Sequence, residues 1–127
     1  MTDVEFLDAF ESGALSTAQF HHRDHLRLAW LQVDRLGLEG AAAAVSAGIR
    51  GFAAEHGLDR LYHETLTRFW VRIVAHAAAP TFEETLTQHP LLLDKGLPLR
   101  HWSREVLFGD AARAAWVEPD LAPLPFP

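Results

Sequence analysis

Two short segments concentrate side chains able to move protons or hold a metal ion: His21-His22-Arg23-Asp24-His25 and Tyr62-His63-Glu64-Thr65. His22 and His25 lie three residues apart, and Leu26, Ala29, Trp30 and Val33 continue the same stripe. On a helix that spacing carries both imidazoles on the apolar face. His63 leads a second stripe through Leu66, Trp70, Ile73 and Ala77. Two such helix starts packed together would gather three imidazoles in one pocket, with carboxylates beside them.

Three chemistries suit that set. In the first, which we take as the leading expectation, His22, His25 and His63 hold a divalent metal such as iron, zinc, manganese or copper. Glu64 or Asp24 then serves as fourth ligand or orients a ligand. The metal would polarise an oxygen of a small organic substrate or activate water or dioxygen. Glu64 would carry protons, and Tyr62 or Thr67 would orient the substrate. The His-x-x-His spacing can chelate, but it lacks the glutamate of the His-Glu-x-x-His zinc-protease signature. The second chemistry is a cofactor-free isomerase, lyase or cyclase in which His63 and Glu64 exchange protons with the bound molecule. In the third the chain is a non-catalytic ligand-binding or partner module, its histidines capping helices and hydrogen-bonding to Asp24, Glu64 or backbone.

The second segment argues for a pocket, because Tyr62, His63, Glu64, Thr65 and Thr67 put five hydrogen-bonding side chains on a helix otherwise built of Leu66, Phe69, Trp70 and Ile73. That is a costly way to make a core. Trp30 and Trp70 fall beyond the two clusters and could floor the pocket, whereas tryptophans as a class, Trp102 and Trp116 included, are more often core. Among the arginines, Arg27 and Arg68 sit nearest the clusters and are the ones to expect against an anionic ligand. His56 reads as a helix-end residue favoured by the dipole. His76, His89 and His101 are isolated and read as surface or packing groups.

The elements that must position these groups are helical almost throughout. Asp3 can cap a first helix in which Phe6, Leu7 and Phe10 share a face. The second is expected over residues 22–36, stopped by Gly37, and the third over 38–56, stopped by Gly57. Alanines 41–44 favour helix and let a neighbour approach closely. A fourth helix should begin near Asp59 and end before Pro80. Thr81 and Glu84 form a capping-box pattern for a fifth, closed by Pro90. Ser103 and Asp110 can each cap a short helix near the end. No period-two alternation or hairpin turn competes. The expected fold is therefore all-α: a single-domain antiparallel helical bundle over residues 1–118, with an irregular Pro-rich tail over 119–127 packed on it, and the pocket where the second and fourth helices start.

Composition narrows the function classes. At 127 residues and 49% hydrophobic content the chain supports one cored domain. A formal charge of −6, with its 11 basic residues dispersed, gives no footprint for nucleic acid. The absence of cysteine rules out disulfides, thiolate zinc sites and thiol nucleophiles. No basic segment followed by an apolar run opens the chain, and no window approaches the about 18 apolar residues of a membrane span. The chain reads as a cytoplasmic protein whose partner is a small molecule, with no membrane contact.

Phe20-His21-His22-Arg23-Asp24-His25-Leu26-Arg27-Leu28-Ala29-Trp30, Tyr62-His63-Glu64-Thr65-Leu66-Thr67 and Trp116-Val117-Glu118-Pro119-Asp120-Leu121 together resemble a family of small bacterial proteins, usually labelled uncharacterised. The similarity runs over nearly the whole chain. The family's pattern, Phe-x-His-x-x-His-Leu-Arg-x-Ala-Trp with Tyr-His-Glu-Thr, maps onto His22, His25, Tyr62, His63 and Glu64. It leaves His21 outside and implies no activity.

Overall fold

The computed structural model describes residues 1–126. Its helices are α1 (Asp3–Glu11), α2 (His22–Glu55), α3 (Glu64–Ala77), α4 (Phe82–Gln88), α5 (Arg104–Leu107) and α6 (Asp110–Ala114). Turns of 3-10 helix at Thr17–Gln19, Asp59–Leu61, Pro90–Leu93 and Leu97–Arg100 link them, and no strand occurs among the described residues. No helix there is long and apolar enough to cross a membrane.

The expected break at Gly37 is present inside α2. Gly37 has φ +74° and ψ 177°, a conformation that an L side chain resists and glycine adopts freely. The limb over residues 22–36 therefore turns at this point into the limb over 38–55. The two limbs double back on one another: the ring of Phe20, at the foot of the first limb, lies 5.1 Å from that of Phe52, near the end of the second. Gly57 (φ +69°) ends the second limb. Its N–H bonds to Ala54 O and that of Leu58 to Ala53 O, at 3.2 and 2.7 Å, which is the Schellman arrangement.

Three local expectations need correction. Thr2, not Asp3, caps α1: its hydroxyl accepts the Glu5 N–H while Glu5 accepts the Thr2 N–H in return. The fourth expected helix starts at Glu64 instead of near Asp59, because Tyr62 and His63 are extended (ψ 142° and 106°). Asp110 is the first residue of α6, preceded by Gly109 at the cap position. Thr81 and Ser103 cap α4 and α5 as their sequences indicate.

α2 and α3 make the main helix pairing. Between them and the C-terminal segments lies a core of Leu26, Leu28, Phe69, Val71, Val74, Trp102 and Leu107, all nearly inaccessible to solvent. Trp102 is fully enclosed, edge-on to Phe69 and Trp116 with ring centroids 5.5 Å away in each case, and its indole N–H donates to Val117 O. The chain beyond α6 is tied back by Leu121 N–H to His101 O and by Ser103 N–H to the Asp120 carboxylate. Leu124 and Phe126 rest half-buried against the core.

Candidate functional site

The Tyr-His-Glu-Thr segment sits at the foot of α3, where a helix begins with unpaired N–H groups and a partial positive charge. His63 fills the cap position that serine or aspartate usually takes: its Nδ1 accepts the Leu66 N–H at 3.1 Å. That acceptance places the ring proton on Nε2, which donates to Leu107 O at 2.5 Å. Both nitrogens are thus committed, and burial holds the imidazole below its usual pKa against the pull of the Leu107 carbonyl. Thr65, fully buried, donates to Ala112 O at 2.8 Å, has Ala115 O as an alternative at 2.9 Å, and accepts the Val117 N–H.

The remaining two members face the other way. The Glu64 carboxylate is 5% exposed. It accepts from the Tyr62 hydroxyl at 2.5 Å, from Arg50 at 3.3 Å and from Arg68 one turn along α3. Burial opposes its ionisation, but Tyr62, Arg68 and Arg50 outweigh that and hold the carboxyl below its ordinary pKa. Burial and the bond to Glu64 push the Tyr62 phenol up, so it stays a neutral donor. Arg50 also stacks over the Tyr62 ring at 4.7 Å.

The first histidine segment is arranged differently. His22 Nε2 lies 2.8 Å from Leu92 O; a carbonyl can only accept, so this nitrogen carries the proton and Nδ1 keeps a lone pair. The ring is braced edge-on against Trp70, centroids 4.5 Å apart. His25 packs edge-on against Phe20 at 4.1 Å, and its ring makes no hydrogen bond among the described residues. Burial, with His22 nearby, pushes its pKa down to about 4, so at neutral pH it is an uncharged imidazole with donor and acceptor both free. His22 is lowered in the same sense by burial, which the Leu92 carbonyl opposes.

Both rings line a cavity of about 600 Å³ between the two limbs of α2 and the start of α3. Ala29 from the first limb, Val45, Ile49 and Phe52 from the second, and Leu66 and Trp70 from α3 supply apolar wall. Tyr62, His63 and Thr67 border it, but each already spends its polar atoms: the Thr67 hydroxyl donates to His63 O at 2.8 Å. Lys95, in the loop between the third and fourth 3-10 turns, closes the remaining side.

His22, His25 and His63 thus border one cavity, but they do not share a set of free ligand atoms. His63 has no lone pair left and His22 has one. Among the described residues no three His, Asp or Glu side chains come together in a grouping that could hold an ion. The residues present do not fit a three-histidine metal centre. Glu64 does not line the cavity, and it is tied to two guanidinium groups. His21 is exposed at the rim, its backbone N–H bonded to Asp24. Trp30 lies outside the cavity, donating to Ala79 O, whereas Trp70 forms part of the wall. The two arginines expected near an anion are both paired, Arg27 with Asp3 and Met1 O, Arg68 with Glu64.

Two contributors escaped the sequence reading. The Leu92 carbonyl that orients His22 is backbone and leaves no trace in residue types. Lys95 had one available signal: it is the only lysine in the chain. Comparisons with protein-family models, with curated proteins and with solved structures find no match to this chain.

Proposed function

We propose that this chain is a cofactor-free acid–base enzyme that moves a proton next to a carbonyl of a small, largely apolar molecule. The observation that carries the reading is His25, a half-buried neutral imidazole whose ring has no hydrogen-bond partner among the described residues, beside a His22 whose tautomer is fixed by Leu92. His63, by contrast, has both ring nitrogens committed and borders the same cavity.

The roles follow from the protonation states. His25, neutral, donates its ring N–H to the substrate carbonyl oxygen and stabilises the charge that develops there. The apolar wall around it strengthens that hydrogen bond. His22, its Nε2 proton anchored on Leu92 O, takes the α-proton on Nδ1 and returns it. The C–H bond breaks, its electron pair enters the enolate held by His25, and the proton taken by His22 exchanges with solvent before one is returned to carbon, so no external reductant or oxidant enters. Tyr62 and Thr67 shape the border without exchanging protons, and Glu64 holds Tyr62 in place from outside the cavity. We read the architecture around the cavity as an antiparallel helical bundle, with the tail from about residue 119 laid along it.

The test is solvent exchange in deuterium oxide with 4-phenyl-2-butanone. Deuterium should enter the α-carbon faster than in buffer, and His22→Ala and His25→Ala should each abolish the excess. Exchange no faster than buffer, or unaffected by either substitution, overturns the reading in favour of a binding module. Exchange that requires added zinc, iron, manganese or copper overturns it in favour of a metal enzyme.

A further inference from the structure

Lys95 is the one lysine among 127 residues, and it lies at the border of the one cavity that holds both open histidines. Five of the ten arginines have carboxylate partners, Arg23 with Glu83, Arg27 with Asp3, Arg35 with Glu11, and Arg50 and Arg68 with Glu64, and none of the other five lines the cavity. Lys95 has no ion pair among the described residues. The two carboxylates nearest in sequence to the site serve their own turns: Asp94 accepts the Gly96 N–H at 2.8 Å, and Asp24 the His21 N–H at 2.9 Å. Neither lines the cavity.

Two further features bias the same space toward negative charge. The first turn of α2, through His22 and His25, and the first turn of α3, through Leu66 and Thr67, both border it, so the positive ends of two helices converge there. Neither helix end would make a site alone; the unpaired ammonium and the open His25 are independent of them. Much of the remaining lining is hydrocarbon and aromatic: Phe20, Phe52 and Trp70, with Leu58 and the exposed Leu61. An apolar body with one anionic end matches this division. A neutral molecule leaves the ammonium unused, and a polyanion finds no second free cation on the wall.

We propose that the molecule held in this cavity is a small monocarboxylate with an apolar, preferably aromatic, body, its carboxylate paired with Lys95 and its body between Phe20, Phe52 and Trp70. The inference rests on the cavity being a small-molecule site, as argued above, but adds the charge and shape of its occupant. Lysine suits the task as a flexible point charge that can follow a carboxylate at a solvent-facing edge.

The single lysine makes the test direct. Reductive methylation with ¹³C-formaldehyde labels only Lys95 and the chain terminus, and 4-phenylbutyrate is titrated against its neutral counterpart 4-phenylbutanol. The acid should bind at least about tenfold more tightly and shift the dimethyl-Lys95 signal, which the alcohol should not move. On unlabelled protein, followed by tryptophan fluorescence, Lys95→Met should bring the acid down to the affinity of the alcohol and leave the alcohol unchanged. Arg104→Met, which removes an exposed charge that does not line the cavity, should preserve the gap. Equal binding of acid and alcohol, or a gap that survives Lys95→Met, overturns the assignment of a carboxylate while leaving the cavity as a binding site. Binding of neither probe overturns both.

Discussion

The two histidine-bearing helix starts look alike in sequence and behave oppositely in the structure. At the foot of α3 every polar side chain is spent on the fold: His63 joins the helix cap to Leu107, Thr65 joins it to Ala112 and Val117, and Tyr62 and Glu64 tie it to Arg50 and Arg68. At the foot of α2 His22 spends one nitrogen, and His25 spends none. Polar residues in a core are recruited either to satisfy backbone groups or to meet a visitor, and residue type does not tell which. Their hydrogen-bond accounts do.

That contrast is sharpest for His63→Ala. It removes a helix cap, worth about 1 kcal/mol, and strands the Leu107 carbonyl, about 1–3 kcal/mol, so urea unfolding should show a loss of about 3 kcal/mol. Next comes acid. Folding holds His25 near pKa 4 against 6.5 in the unfolded chain. Between those values the unfolded state binds more protons, so stability falls as pH drops from about 6.5 to about 4, by at most about 3 kcal/mol. His25→Leu should flatten that portion of the stability profile. A profile identical in the variant would mean that His25 is solvated and not poised in an apolar wall.

Smaller effects separate the members of the second segment. Thr65→Val keeps the shape and leaves the Ala112 carbonyl and Val117 N–H short of a partner, an expected loss of about 2 kcal/mol in thermal or urea unfolding. Tyr62→Phe removes one donor from a carboxylate that keeps two guanidinium partners, and about 1 kcal/mol should be lost. His25→Leu at neutral pH should cost the least, under about 1 kcal/mol, since it breaks no hydrogen bond. If it destabilises as much as His63→Ala, the two helix starts are equally structural and the contrast fails.

Helical periodicity was legible because the stripes are long, and Gly37, Gly57 and Pro90 punctuate them where the backbone needs it. The foot of α3 was harder to read. A histidine caps it through Nδ1, a use that cap statistics for serine, threonine, aspartate and asparagine do not signal, so the helix was expected to begin five residues early. The pairing of His22 and His25 on one face was visible from their spacing. That His63 would turn to Leu107, 44 residues away, depended on tertiary packing. The same holds for the turn that brings Leu92 O and Lys95 to the cavity, since residues 91–100 carry no periodicity to place them.

Gly37 adds a mechanical consequence. The two faces of the cavity ride on one continuous stretch of chain, with His22 and His25 before the elbow and Val45, Ile49 and Phe52 after it. A Cβ built on Gly37 would meet nothing within 4 Å, although Leu36 and Gly40 on its two sides approach closely. His25 stands twelve residues from it, a lever arm of about 18 Å at 1.5 Å per residue. A swing of about 5° at that one residue would carry His25 by about 1.5 Å, the difference between gripping and releasing a planar ligand. The spacing of the two faces therefore depends on a single pair of torsions, and the packing of α3 against α2 opposes any change in it.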